Sequence, residues 1–258
     1  MKITVVTVCL NVEKTIEFTM QSVLEQTFKE IEYLIIDGKS SDKTLDIVNK
    51  YIDDKRIRLF SEKDNGLYNA MNKAIDISTG DYIIFMNSGD VFCDSRVLED
   101  MVPHLCDDLV YGNVIRKTQD GDRLEKYHGK WKLMSLLLMG KMMSHQTVFT
   151  KSDIMKKYRF NEQFKICADY DFVVRAKKDK CSMIYVDRTV CIMDNIEGIS
   201  AQVDNMDRMR SEDDRSLREN FKVYYYILKI PKGIVRFFRR IHERYTMRKA
   251  CKGSVTER

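Results

Sequence analysis

The chain has 258 residues, 44% apolar and 32% charged, with 11 glycines and 2 prolines. It is long enough to bury a large core, and a disordered tail, a mini-protein and a collagen-like repeat are excluded. The formal charge of +5 divides unevenly: residues 221–258 carry eleven basic and two acidic side chains, against 33 basic and 37 acidic in residues 1–220, so an acidic body bears a basic tail.

The first predicted element is a strand, Lys2 to Val8, a continuous β-branched run of the kind buried on both faces of a parallel sheet. It runs directly into polar Asn11, Glu13 and Lys14, which reads as a strand end and not as a signal peptide. Ile16, Met20, Val23 and Leu24 then share one face of a helix. Strands follow at Tyr33 to Ile36, Ile57 to Phe60 and Tyr82 to Met86. Between them lie helices carrying Leu45, Val48, Tyr51 and Ile52 on one face, and Leu67, Ala70, Met71, Ala74 and Ile75 on another. This β-α-β-α-β-α-β order predicts an α/β fold with a mostly parallel central sheet flanked by helices and right-handed crossovers.

Beyond Gly89 the rhythm changes. Leu109 to Ile115 and Arg123 to Tyr127 read as strands joined around Asp120-Gly121, followed by helices at Trp131 to Met139 and Asp169 to Lys178. Short strands are expected near Met183 to Val186 and Val190 to Met193. The second half reads as mixed and as completing the first half's sheet. The seven cysteines are scattered with no Cys-x-x-Cys pair, as expected for reduced thiols in a cytoplasmic protein. No run reaches the eighteen or so apolar residues of a membrane-spanning helix.

Open parallel sheets bind ligands beyond the carboxyl ends of their strands. Here those ends carry Thr7, Cys9 and Asn11; Asp37 to Asp42; Glu62 and Asp64-Asn65-Gly66; and Asn87-Ser88-Gly89-Asp90. Singly, each is explained by turn chemistry and helix capping, as with Ser41 before the second helix; together they make one polar rim. Neither G-x-G-x-x-G nor G-x-x-x-x-G-K-[ST] is present, which argues against a dinucleotide or a P-loop nucleotide. A carboxylate such as Asp37 can accept hydrogen bonds from a base or ribose. Asp90 can ligate a divalent cation that bridges phosphate oxygens, so the rim suits a nucleoside diphosphate.

The strings TVVTVCLNVEKTIEFTMQSVLEQTF, YLIIDGKSSDKT, SEKDNGLYNAMNKAIDISTGDYIIFMNSGD, SHQTVF and ADYDFVVRAK occur in order across residues 2–200. Their pattern resembles the family 2 glycosyltransferases of the GT-A fold, above all the branch that builds bacterial exopolysaccharide, capsule and O-antigen repeats, including colanic-acid-type transferases. The resemblance implies an inverting transfer of sugar from a nucleotide-sugar donor, with a UDP-sugar the expected one, to a glycan or lipid-linked acceptor, assisted by Mg2+ or Mn2+. Carried over by position, Thr7, Asn11 and Asp37 line the nucleoside pocket with Asn65 and Gly66 nearby, and Asn72 and Lys73 face the donor. Asn87, Ser88 and Asp90 stand where the family has its D-x-D motif, with Asn87 replacing the first aspartate and Asp90 as metal ligand. Asp169 aligns with the aspartate of the E-D motif and is the expected general base, with Asp171 the alternative; Ala168 replaces the glutamate. His145 in Ser144-His145-Gln146 belongs beside the acceptor and diphosphate. Glu197 to Ser200 resembles a late glycine-serine loop over the donor.

The expected organisation is a GT-A domain over 1–220, with a nucleotide-sugar half to about 115 and an acceptor half from about 116, and a basic helical tail over 221–258. In that tail Ile234, Phe238, Ile241 and Tyr245 recur at helical spacing beside Arg236, Arg240 and Arg244. Such a helix either packs on the body or lies on an anionic membrane at the inner face of the cell. A nucleotidyltransferase and a nucleic-acid binder using the tail are the rival readings. The first lacks its glycine-rich loop after strand one, and the second is opposed by the acidic body, so no nucleic acid is expected.

Overall fold

Uninterrupted β-branched runs are stable as strands only where both faces are covered, and that is what the first half builds. In the computed structural model, which describes residues 1–118, 121–127, 142–194, 206–222 and 225, every residue of β1 (Ile3–Cys9) and β2 (Ile31–Asp37) is buried. β3 (Ile57–Ser61) and β4 (Tyr82–Phe85) flank them, and all three pairings, β3-β2, β2-β1 and β1-β4, are parallel. The connecting helices are α1 (Ile16–Leu24), α2 (Thr44–Asn49) and α3 (Leu67–Ile77). The expected faces of α1 and α3 are the buried ones. α2 ends earlier than its periodicity predicts, leaving Ile52 exposed, because the chain turns there through a bond from Asp54 N–H to Tyr51 O.

The second half extends the same sheet through β5 (Val91–Phe92), α4 (Val97–Met101), β6 (Leu109–Thr118), β7 (Gly121–Glu125), β8 (Val148–Lys151), α5 (Ser152–Tyr158), α6 (Ala168–Lys178), β9 (Met183–Asp194) and α7 (Met206–Asn220). The order is β3-β2-β1-β4-β8-β6-β9-β5, with β7 paired to β6 as the predicted hairpin. β8 joins β4 and β6 antiparallel, while β6 and β9 are parallel. The two short strands expected near 183–186 and 190–193 are one long strand whose register slips opposite Tyr111 to Val114. Gly112 sits at that slip, where a Cβ would collide with Arg188 O, so only glycine lets the two backbones approach.

At the amino end of the sheet Glu32, 3% exposed, closes the structure by bonding Thr4, Thr79 and Arg58. The carboxyl end is therefore where the chain presents its polar loops. The helix expected at 131–139 with Trp131, Asp120, the 197–200 loop and the tail other than residues 221, 222 and 225 lie outside the described residues.

Candidate active site

Parallel pairing aims the carboxyl ends of β1 to β4 at one rim. Antiparallel β8 begins at that same rim, because Thr150 pairs with Ile83 and Lys151 with Tyr82, near the start of β4. The segment Ser144 to Thr147, immediately before β8, is thereby delivered next to Asn87, immediately after β4.

On the β1–β3 side most predicted ligand groups are consumed by the protein. Asp37 is fully buried. Its carboxylate accepts from the N–H groups of Lys39 (3.0 Å) and Ser40 (3.1 Å) and from the hydroxyls of Ser40 (2.5 Å) and Ser61 (2.6 Å). It staples the loop after β2 to β3. Beneath it, burial and the Asp37 charge push the Cys9 thiol far up. Thr7, likewise fully buried, bonds Met86 O at 2.8 Å and the Tyr33 hydroxyl at 2.9 Å. Asn11 is at the rim in a left-handed conformation (φ 54), its side-chain oxygen accepting from Ser41 N–H at 2.8 Å. The groups presented at these three strand ends are instead Leu10, 57% exposed, Gly38 and Asp64. A Cβ on Gly38 would lie 3.3 Å from Asp64 Oδ2 and 3.4 Å from Leu10 Cδ1. Lys73 ion-pairs with Asp64 (2.8 Å) and Glu62 (2.7 Å), which push it up.

α3 starts at the rim from Asn65 and Gly66, the latter at φ 117, a conformation that glycine adopts without a Cβ clash. Asn72, nearly two turns further on, is buried. Its amide donates to Phe160 O (2.9 Å) and Glu162 (2.8 Å) and accepts from Phe160 N–H (3.0 Å). It is therefore a strut between α3 and the 159–167 loop.

The second side of the rim is connected differently. Asn87 Nδ2 lies 3.0 Å from His145 Nε2, and His145 Nδ1 lies 3.0 Å from Asp169 Oδ2. The His145 and Asp169 side chains are each about a fifth exposed, at 20% and 21%. Asp169 Oδ1 accepts from Tyr170 N–H at 2.8 Å and is 3.4 Å from the Tyr68 hydroxyl, which donates to Ile166 O at 2.5 Å. Burial, with the Asp169 charge beside it, pushes Tyr68 well up. Asp171, the alternative base, is 2% exposed and held by Arg175 (2.7 Å) and Ser216 (2.7 Å), which leaves Asp169 as the reachable carboxylate of the pair.

Asp90 ends the turn 87–90, in which Gly89 has φ 98. It is 5% exposed and accepts from Gln146 Nε2 at 2.8 Å, while Ser88 shares a hydrogen bond with the Thr15 hydroxyl at 2.9 Å. Among the described residues no three His, Cys, Asp or Glu side chains cluster into a metal cage. A single carboxylate on the turn after β4 fits the way Mg2+ or Mn2+ is held when phosphates supply most of the ligands, and Gln146 fixes its orientation.

Sequence reasoning missed the contribution of α7. Glu212 reaches from that helix to the backbone N–H groups of Lys165 (3.0 Å), Ile166 (2.9 Å) and Cys167 (3.0 Å), just before α6 and Asp169. Burial opposes its charge, but those bonds hold Glu212 below the usual carboxylate range. Next to it, burial with the Asp169 and Glu212 charges pushes Asp213 up to about 7. Nothing in the charge-dense string MDRMRSEDDRSLREN distinguishes these two acids from their neighbours.

Comparison with known proteins places the chain among enzymes that transfer sugars. The family model described as glycosyl transferase family 2 matches residues 4–170. A PGL/p-HBAD biosynthesis glycosyltransferase of Mycobacterium tuberculosis is 30% identical over 173 residues, which cover 64% of this chain and 66% of that protein, just under two thirds of its length. The Escherichia coli UDP-Glc:alpha-D-GlcNAc-diphosphoundecaprenol beta-1,3-glucosyltransferase WfaP is 35% identical over 95 residues, 37% of this chain and 38% of that one. Among solved structures, S. aureus TarS 1-349 in complex with UDP-GlcNAc superposes with a TM-score of 0.65 at 20% identity, covering 86% of this chain and 72% of TarS. The Pyrobaculum calidifontis mannosyltransferase PcManGT with GDP-Man and Mn2+ gives 0.58 at 16%, covering 74% and 56%.

Proposed function

The chain belongs to glycosyl transferase family 2, and from that membership we propose that it is an inverting transferase moving a sugar from a UDP-sugar to a hydroxyl of a lipid-linked glycan in bacterial surface polysaccharide synthesis. The observation that carries the reading is the convergence of Asn87, His145 and Asp169 on the rim that also presents Leu10, Gly38 and Asp64. WfaP supports the donor and the lipid-linked acceptor by its name, and TarS supports the nucleotide by its bound UDP-GlcNAc.

In this reading residues 1–220 are one catalytic domain. The nucleoside lies against Leu10, Gly38 and Asn11 with Asp64, Asn65, Gly66 and Lys73 beside it, and the diphosphate lies over Asn87, Ser88 and Asp90. Asp90 would hold Mg2+ or Mn2+, which as a Lewis acid neutralises the negative charge gathering on the leaving diphosphate. Asp169 takes the acceptor's proton while the acceptor oxygen attacks the anomeric carbon in line, through an oxocarbenium-like transition state. A panel of UDP-, GDP- and dTDP-sugars with Mg2+ or Mn2+ tests this. A UDP-sugar should raise the melting temperature, since a ligand binding only the native state stabilises it, and should release UDP. No shift with any of them overturns the reading.

No helix among the described residues is long and apolar enough to cross a membrane. We place the enzyme at the cytoplasmic membrane face through the basic segment 221–258. Flotation with anionic vesicles should fail when residues 226–258 are removed, and equal flotation of both forms refutes the anchor.

A further inference from the structure

His145 is held at both ring nitrogens by groups on two different elements, and one of them has a single hydrogen-bonding character in that contact. With the Asn87 amide nitrogen facing Nε2 at 3.0 Å, Asn87 donates and Nε2 must accept. The one proton of a neutral imidazole then resides on Nδ1, from which it is donated to Asp169 Oδ2 at 3.0 Å. Asn87 Oδ1 is buried and has no hydrogen-bond partner among the described residues. Asp169 is thus gripped at Oδ2 by His145 and at Oδ1 by Tyr170 N–H, 2.8 Å away.

Resting on the transferase reading above, we infer that Asn87 and His145 are positioning residues for the base: Asn87 fixes the Nδ1–H tautomer of His145, and His145 aims the Asp169 carboxylate at the acceptor. In the step, the acceptor O–H bond breaks and its proton passes to Asp169 as the oxygen bonds the anomeric carbon. The bond from that carbon to the diphosphate breaks, and its electron pair leaves with the diphosphate. The Nδ1 proton stays on His145 throughout. A carboxylate in place of the Asn87 amide cannot donate to Nε2. It would draw a second proton onto the ring, and the resulting imidazolium beside Asp169 would make that carboxylate a poorer base.

The discriminating variant is Asn87→Asp, because the alternative role for Asn87 predicts the opposite result. Were Asn87 only an oxygen ligand on the Asp90 turn, adding a carboxylate would strengthen cation binding and raise turnover. The tautomer lock predicts a fall in kcat of about ten- to a hundredfold, a share of the 10²–10⁴ that a positioned base contributes, with the donor KM within twofold. His145→Gln should fall similarly, and the His145→Gln/Asp169→Asn double variant should be no slower than Asp169→Asn alone, as groups acting as one unit behave. Turnover is read as UDP released from the UDP-sugar with water as acceptor. ¹⁵N spectra of His145 supply a readout that needs no activity: the wild type should carry its single ring proton on Nδ1 near neutral pH, and Asn87→Asp should protonate both nitrogens. A wild-type proton on Nε2, an unchanged spectrum in Asn87→Asp, or undiminished kcat in that variant overturns the inference. Should the wild type turn over no nucleotide sugar, the transferase reading fails and the spectra still decide the tautomer.

Discussion

Asp37 and Asp169 occupy two regions of the same rim, and each is an aspartate within a string that points to chemistry. At the β1–β3 side the loop folds back on its own carboxylate, and backbone and hydroxyl donors surround Asp37. At the β4–α6 side the carboxylate meets one imidazole and one backbone N–H and stays about a fifth exposed. The difference teaches that an acidic motif residue acts on a substrate only to the extent that its own loop leaves lone pairs unspent. Removing each in turn should break the molecule in different ways.

The largest effect is expected from Asp37→Ala. It removes the acceptor of two backbone donors and two hydroxyls in a half-exposed loop, at about 0.5–1.5 kcal/mol for each bond lost. A loss of several kcal/mol is a large share of the roughly 5–15 kcal/mol that holds a domain together. The urea midpoint should collapse; a wild-type midpoint with lost nucleotide binding would restore Asp37 to the ligand site. Asp169→Asn should do the reverse, lowering kcat by about 10²–10⁴ while leaving the midpoint within about 1 kcal/mol of wild type. Turnover at the wild-type rate would remove Asp169 from the mechanism. Glu212→Ala should fall between them. Three N–H groups lose their acceptor, costing about 1–3 kcal/mol, and kcat should drop because α6 no longer starts from a fixed loop. Glu212→Gln, which keeps an acceptor oxygen, should recover part of both losses; no difference between the two variants would mean that α7 does not position the base.

The parallel half was legible because β1 and β2 announce themselves by uninterrupted apolar runs, and the rim follows from their direction. β5 and β8 escaped notice because two and four residues show no period, and the slip in β9 depends on how closely Gly112 approaches its partner strand. The site was legible as a set of residues and not as a set of contacts. His145 and Asp169 were each named from motifs, yet the bond between them depends on β8 running antiparallel to β4. Asp37 and Thr7 are bonded within the protein, to the loop after β2 and to neighbouring strands, which residue type alone does not encode. Glu212 gave no signal at all, because its role comes from where α7 packs and not from any local pattern.

Asp213 separates the two sides by pH. Its carboxyl is pushed from 3.8 up to about 7 by burial and by the Asp169 and Glu212 charges, against the Cys167 thiol that bonds it. The folded form therefore keeps a proton that the unfolded chain releases, so stability falls as pH rises between about 4 and 7 and stays lowered above that. Asp213→Asn has no proton to release. It should match the wild type near pH 4, exceed it progressively up to pH 7, and keep a constant advantage at pH 8, as read from urea midpoints at each pH. An Asp37 variant keeps Asp213, so its difference from the wild type has no reason to change across that pH window. If Asp213→Asn gains nothing at pH 8, the negative charge beside Asp169 is already dispersed, and the base stands in a more polar setting than the geometry of α7 implies.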